Sequence, residues 1–227
     1  MAGGVRKLFV DEQGLRAYAI EVVDNKHLES TQENVQAECM RIKTELKRAV
    51  SKKDIRSISI RGNGTMVIRT NDLFISTRET GVLRKFAIGS WEITMRLGYE
   101  PYFKANDLKY AFDSGCWGAN TVHPHVSGRT HHGCLGNTEG NIYKSHQRGD
   151  IVVLISLLIG YLTSVNVVDG AGKYLSRCVE VELDNEGNPI LVEDGPGVFN
   201  YKWKEANEFI QSNKERNYRN HVDTGVR

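Results

Sequence analysis

The feature that most constrains the fold is a change of hydrophobic period after residue 50, from the helical period to the extended one. Before this change, the segment HLESTQENVQAECMRIKTELKRAV carries apolar residues at three- and four-residue steps, which form one stripe along a helix. We expect Ser30 and Glu33 to form a capping box at the start of this helix. The members of the stripe are Val35, Cys39, Ile42, Leu46 and Ala49.

After the change, apolar residues alternate with polar ones, as in half-buried β-strands. The segments IRSISIR and TMVIRT lie on either side of the turn Gly62-Asn63-Gly64, and LFISTR and RKFAIGSWEITMRL follow after further polar turns. This spacing predicts an antiparallel meander of about four strands. Its expected core residues are Ile58, Ile60, Val67, Phe74, Ile88 and Ile93.

An apolar run, IVVLISLLIGYL, covers 12 residues at Ile151–Leu162. A membrane-spanning helix needs about 20 residues, so we expect a buried helix that begins near Gly149 and Asp150. The order of helix, meander, irregular segment and buried helix predicts an α+β fold with helices against one face of the sheet.

The two ends of the chain are predicted to be additions to this domain. Residues 1–26 form an N-terminal extension with one short alternating piece, RAYAIEVV. The domain itself is assigned to residues 27–178. Residues 179–227 form a C-terminal hairpin, turning at Asn185–Pro189, and a basic, amphipathic helical tail.

Composition excludes few classes of function. The formal net charge is +2 and the apolar content is 40%, so no nucleic-acid or membrane partner is indicated. The chain starts without the apolar core of a secretory signal, which predicts the cytoplasm. There, cysteines are expected to be thiols or ligands rather than disulfide partners.

The segment TVHPHVSGRTHHGCLGN, Thr121–Asn137, holds four of the seven histidines. A metal site is one interpretation, although zinc ligands usually come in C-x₂₋₄-C and H-x₃₋₅-H pairs, and here the pairs are H-x-H and H-H. No cofactor is expected. The residues of a ligand-competent type are Cys116, His123, His125, His131, His132 and Cys134.

A nucleophilic cysteine is the second interpretation. Cys134 follows Arg129 and the His131-His132 pair, and cationic or donor groups favour the reactive thiolate. The third interpretation is a structural turn, in which a cysteine acts as a small apolar residue. We assign that structural role to Cys39 and Cys178.

The stretch HPHVSGRTHHGCLGN resembles the active-site segment of ubiquitin-conjugating enzymes, H-P-N-[IV]-x(n)-G-x-x-C-L-[DG]. The matching residues are His123, Pro124, Val126, Cys134 and Leu135. The order of elements from Lys26 to Leu175 is similar as well. The form HPHV…CLGN looks closest to the divergent conjugating-enzyme-like proteins of bacteria, plasmids and phages.

This resemblance implies that Cys134 accepts the C-terminus of a ubiquitin-like protein as a thioester from an activating enzyme. An amine of a protein target would then attack the thioester. It also implies that His123 and Pro124 shape the adjacent loop, that His125 replaces the asparagine supporting loop and oxyanion, and that His132 belongs to the site. The implied location is the bacterial cytoplasm, or a virion if the protein is a structural phage component.

Two departures from the family pattern bear on activity. First, Gly136 stands where an aspartate is usual, and no acidic residue that orients the incoming lysine can be assigned from the sequence. Second, a hairpin and a basic helix are expected after Leu175, in place of the family's two C-terminal helices. A non-catalytic binding or structural module on the same fold is therefore the alternative. The sequence leaves open whether the chain forms homo- or hetero-oligomers.

Overall fold

The computed structural model describes residues 6–79, 81–115, 118, 120–166, 172–196 and 198–204. It confirms the α+β class, with mostly antiparallel strands. The chain forms two compact units. The first comprises Met1–Leu73, Ser90–Asn106 and Thr130–Leu162, and the second comprises Phe74–Gly89, Asp107–Arg129 and Thr163–Arg227. The predicted domain boundaries at residues 26 and 178 stay predictions.

The elements of the described residues are numbered here along the chain. The strands are β1 Lys7–Val10, β2 Ile55–Ile60, β3 Met66–Thr70, β4 Leu73–Glu79, β5 Val82–Gly89, β6 Trp91–Met95, β7 Tyr102–Ala105, β8 Val179–Glu180, β9 Leu191–Glu193 and β10 Phe199–Tyr201. The α-helices are α1 Glu12–Asn25, α2 Gln32–Val50, α3 Glu139–Arg148 and α4 Ile151–Thr163. Three 3₁₀ helices cover Leu108–Tyr110, Gly136–Thr138 and Gly172–Arg177.

The first unit is built on a five-stranded sheet in the order β1-β2-β3-β6-β7. Strands β2, β3, β6 and β7 pair antiparallel in this order, and β1 joins their edge parallel to β2. Helix α2 packs on β1 and β2, while α1 packs on α2 and α3. Strand β7 is the edge strand opposite β1, and the candidate site begins there.

Helix α2 confirms the predicted apolar stripe with two corrections. Its N-cap is Thr31, whose hydroxyl accepts from the Asn34 amide at 3.2 Å, so the predicted Ser30–Glu33 capping box is wrong. Cys39 is only half-buried, and the buried position beside it belongs to Glu38. A buried carboxylate needs charged partners, and sequence periodicity alone does not reveal them.

The N-terminal region is more regular than predicted. RAYAIEVV lies within helix α1, whose N-cap Asp11 accepts from the Gly14 amide at 3.0 Å. The short polar–apolar alternation was misleading, because the longer window has helical steps. The buried residues of α1 are Gly14, Leu15, Tyr18, Ala19, Val22 and Val23.

The predicted meander has the right number of strands but two wrong members. RKFAIGSWEITMRL divides into β5 and β6, because Gly89 takes a left-handed φ of 64° and ends the first strand. The Trp91 amide then donates to Thr70 Oγ at 2.9 Å, which starts β6 beside β3. Strands β4 and β5 belong to a different sheet, and the fourth strand of the meander is β7.

The apolar run forms helix α4, as predicted, directly after a left-handed Gly149 that ends α3. One stripe of α4 is exposed, at Val153, Ser156 and Gly160. In the described part of the chain, no helix combines the length and apolarity that crossing a bilayer requires.

The second unit contains the three-stranded sheet β4-β5-β8 and the two-stranded ribbon β9-β10. The predicted hairpin is confirmed: Leu183 pairs with Pro189, and the Asp184 amide donates to the Asn188 carbonyl at 2.9 Å. Phe74 is only half-buried, against the ring of Tyr201 at 4.9 Å, so its full burial was wrongly predicted.

The predicted tail helix is wrong at its start, because FNY forms strand β10. Residues 205–227, the rest of that prediction, lie outside the described residues. The other predicted core positions, Ile58, Ile60, Val67, Ile88 and Ile93, are buried in their own units.

Candidate active site

Cys134 lies between the edge of the five-stranded sheet and helix α3, within the first unit. Its side chain is exposed, whereas that of the next residue, Leu135, is buried. The Leu135 carbonyl accepts from the amide and the hydroxyl of Thr138, at 3.0 and 2.6 Å. These bonds close the 3₁₀ turn that leads into α3, so the thiol projects from an anchored turn.

The residues just before Cys134 pair with edge strand β7. The Phe103 amide donates to the His131 carbonyl at 2.8 Å, and His132 pairs antiparallel with Tyr102. The Tyr102 ring packs edge-on against both imidazoles, with centroid distances of 5.0 and 6.2 Å. The backbone leading to the thiol is therefore held by the sheet.

Gly133 lies against the buried phenol of Tyr161 on α4. A β-carbon at Gly133 would come within 2.5 Å of the Tyr161 hydroxyl oxygen and 3.2 Å of the Phe103 ring. Burial raises the pKa of Tyr161 far above its ordinary range, and charge on Cys134 adds to that effect. The phenol therefore stays protonated, and its hydroxyl is electrostatically coupled to the thiol.

His132 has a carboxylate partner in the loop before β7. Its Nδ1 lies 3.2 Å from Oε2 of Glu100, with the two side chains 49% and 61% exposed. An exposed pair of this kind adds little stability, so its main effect is to orient the imidazole. Glu100 also affects Tyr143 of α3. Burial is the main cause that raises the pKa of Tyr143, and the charges of Glu100 and Glu139 raise it further.

His131, the neighbouring histidine, has a different environment. It adopts a left-handed φ of 60° and is half-buried against Tyr102. Burial, followed by the charges of Lys104 and His132, lowers its pKa. His131 is therefore a neutral packing group.

His123 and His125 belong to the second unit, and both are buried there. His123 Nδ1 accepts from the His125 amide at 3.1 Å, which leaves the ring proton on Nε2, 3.2 Å from the Ser164 carbonyl. The amide of Val126 donates to the His123 carbonyl at 3.0 Å. His123 thus holds a tight turn, and both its ring nitrogens contact the backbone.

The four predicted site residues divide between the two units. Cys134 and His132 lie in the first unit and share one short extended segment, while His123 and His125 share the turn of the second unit.

The metal interpretation requires several ligand-type side chains to lie together. Within the described residues, no cluster of three or more His, Cys, Asp and Glu side chains has a metal-binding arrangement. His123 could ligate only by giving up a backbone hydrogen bond. Cys116, another of the ligand-type residues, lies outside the described residues.

The other described cysteines differ from Cys134. Cys178 is buried, its Sγ lies 3.6 Å from the Tyr174 carbonyl, and burial raises its pKa strongly. Cys39 is half-buried, and burial raises its pKa as well. Among the cysteines that the structure describes, Cys134 is the exposed one.

Two residues of this site were not predicted from the sequence. Tyr161 could have been noticed, because it brings a hydroxyl into an otherwise apolar run. Glu100 gave no signal, because it lies 34 positions before Cys134 in a loop without a recognisable pattern. No protein-family model, curated protein or solved structure matches the chain.

Proposed function

We propose that this chain is a conjugating-enzyme-like thiol acyl carrier. Cys134 accepts the C-terminus of a ubiquitin-like protein as a thioester from an activating enzyme and passes it to an amine of a protein target. The observation that carries the proposal is the exposed Cys134 thiol on a segment hydrogen-bonded on both sides, at His131 and at Leu135.

The chemistry needs a thiolate that a large acyl donor can reach. Exposure of Cys134 supports this, whereas the described Cys39 is half-buried and Cys178 is buried. His123, buried and hydrogen-bonded through both ring nitrogens, shapes the turn of its own unit. A free thiol persists in a reducing compartment, so we propose the bacterial cytoplasm as the location.

Thioester formation tests the proposal. The protein is incubated with ubiquitin, its activating enzyme and ATP, and with ubiquitin-like proteins and activating enzymes from bacteria. We expect an adduct that thiols cleave, and a Cys134→Ser variant whose adduct resists thiols because it is an oxyester. Cys39→Ser is the matched control and should still form the thioester. A Cys134→Ala variant that forms the same thiol-sensitive adduct would contradict the proposal.

A protein-binding module on the same fold is the second candidate, favoured by the apolar surface of the ribbon β9-β10. On one face of the ribbon, Leu191 is 46% exposed and Phe199 is 62% exposed. Isolated exposed apolar residues are ordinary, but neighbouring ones on a short ribbon suit an interaction. Cross-linking in host cells separates the candidates, because a binding module keeps its partners when Cys134→Ala is introduced.

A further inference from the structure

We propose that His132, oriented by Glu100, is the base that accepts the proton of the amine attacking the acyl group on Cys134. This inference rests on the proposed acyl-carrier function and adds a catalytic residue and a positioning residue to it. It also supplies a carboxylate that the family pattern did not locate in the sequence.

The contact between His132 and Glu100 determines which ring nitrogen can act. Nδ1 of His132 lies 3.2 Å from Oε2 of Glu100, and the carboxylate favours a proton on Nδ1 rather than on Nε2. In the neutral ring, Nε2 then holds the lone pair. A base oriented through its other nitrogen by a carboxylate is the arrangement that nucleophilic sites use repeatedly.

The alternation of the segment puts this base on the same side as the thiol. His132 pairs with Tyr102 in an extended conformation, and Gly133 faces the buried Tyr161. Residues two apart in an extended chain point to the same face. His132 and Cys134 are both exposed, as this alternation requires.

Several titratable or charged groups surround His132. Tyr102 and Lys104 come from β7, His131 precedes it in the chain, and Tyr143 of α3 lies within electrostatic reach of Glu100. Among them, Glu100 makes the ion pair with the His132 ring. A lowered pKa, due first to burial, makes His131 a weaker base, and its ring packs on Tyr102. A raised pKa, again due first to burial, keeps the Tyr143 phenol protonated near pH 7.

The step balances as follows. The amine nitrogen attacks the thioester carbonyl on Cys134, forming a C–N bond, and His132 Nε2 takes one proton from that nitrogen. The tetrahedral intermediate collapses, the C–S bond breaks, and the Cys134 sulfur leaves with the electron pair. The proton then passes from His132 to the sulfur or to water. The products are an amide and the free thiol.

The experiment uses a small acyl donor, so that no protein partner has to be known. The full chain is acetylated at Cys134 with phenyl thioacetate and separated from excess reagent. Loss of the acetyl group is followed by intact mass spectrometry, with and without free lysine as the amine. The difference between the two rates isolates aminolysis from hydrolysis.

We expect His132→Gln to lower the lysine-dependent rate by about 10²-fold, the usual contribution of a positioned base. Glu100→Gln should lower it by a smaller factor, and Glu100→Asp should restore part of the loss. In His132→Ala, added imidazole should restore aminolysis, which a merely structural histidine would not allow. His27→Gln, at an exposed histidine of the same unit outside the site, is the control and should react at nearly the wild-type rate.

Alkylation by iodoacetamide shows whether the variants still present the thiol, and it should be unchanged in Glu100→Gln. Lysine-dependent loss at the wild-type rate in His132→Gln would overturn the inference while leaving the acyl-carrier proposal in place. So would a His132→Ala variant that imidazole does not rescue. A wild-type protein that phenyl thioacetate does not acetylate at Cys134 would overturn the acyl-carrier proposal itself.

Discussion

The hydroxyl of Tyr161 lies so close to the backbone of Gly133 that a β-carbon there would come within 2.5 Å of the oxygen. Gly133 precedes the exposed Cys134, and Tyr161 is buried in α4 beside the ring of Phe103, with centroids 5.3 Å apart. The phenol therefore limits how closely the segment that carries the thiol can approach α4. The position of Cys134 depends on the packing of α4 against the sheet.

Gly133→Ala is expected to displace this segment. The added methyl group should destabilise the protein by about 1–3 kcal/mol, the usual cost of overpacking, and slow alkylation of Cys134. Urea unfolding and alkylation rates measure both effects. Gly140→Ala is the control, because a β-carbon there meets nothing within 4 Å. In a Tyr161→Phe background the penalty should shrink; an unchanged penalty would contradict this contact.

Burial of His146 predicts a pH-dependent stability. The ring is 2% exposed and stacks on Tyr18, and its Nε2 has no hydrogen-bond partner within the described residues. Burial lowers the pKa of His146 from 6.5 to about 4. Between these values the unfolded chain binds the proton and the folded protein does not, so stability falls as pH falls from 6.5 to 4.

The expected loss from His146 is about 3 kcal/mol across that interval, at about 1.4 kcal/mol per pH unit. Urea unfolding from pH 7 to pH 4 measures it. His146→Phe keeps an aromatic ring on Tyr18 and should flatten this part of the profile. His132→Phe is the control at an exposed position, and an equal flattening there would argue against His146 as the cause.

The carboxylate of Glu38 joins α1 to α2 and is expected to be stabilising. It lies 3.0 Å from Lys26 Nζ and 2.6 Å from an Arg41 nitrogen, and Arg41 also donates to the Arg148 carbonyl at 2.6 Å. Burial alone would raise the pKa of Glu38, but hydrogen bonds and charge from Arg41 and Lys26 outweigh it and lower the pKa. Its contribution is therefore present above the unfolded pKa and is lost as pH falls through the folded one.

Glu38→Ala should cost about 2 kcal/mol at pH 7, because it leaves two cations without their shared partner. Chemical denaturation measures the loss, and the exposed Glu29→Ala serves as control. If both variants unfolded at the same urea concentration, the Glu38 contacts would contribute nothing to stability.

Substitution by alanine should change the stability of the protein in opposite directions at two helical glycines, one in α1 and one in α4. At Gly14 a β-carbon would come within 1.8 Å of the Arg61 carbonyl oxygen, so Gly14→Ala should cost about 3 kcal/mol or more. At Gly160 it would meet nothing within 4 Å, so Gly160→Ala should stabilise α4 by about 0.5–1 kcal/mol. Thermal unfolding of the two variants checks both signs; a stabilising Gly14→Ala would show that α1 is not packed closely against this backbone.

Long periodic segments were predictable because their apolar residues report burial directly. Helix α2 and the run that forms α4 followed from their steps, and the class followed from the order of segments. Partner choice among strands was not predictable. β4 and β5 have the same alternation as β3 and β6, and only the turn at Gly89 and the pairing of β5 with β8 separate the two sheets.

The sequence motif selected the candidate residues because they lie close together in the chain, but it did not predict their contacts. The structure places Cys134 and His132 in the first unit and His123 and His125 in the second. The contact of His132 with Glu100 and that of Gly133 with Tyr161 join residues distant in sequence, which no local pattern encodes. The contact of His123 Nε2 with the Ser164 carbonyl likewise joins residues 41 positions apart.

The distribution of the chain between its two units has a consequence for synthesis on the ribosome. Each unit consists of three separated stretches, and the chain passes from one unit to the other five times. The first unit is incomplete until Leu162 has emerged, and the second waits for the residues that follow. Neither unit can finish folding early in translation. Strand β2 can pair with β1 and β3 as soon as β3 is made, but β3 must wait for β6. For the same reason, a single protease cut cannot release either unit as one continuous piece.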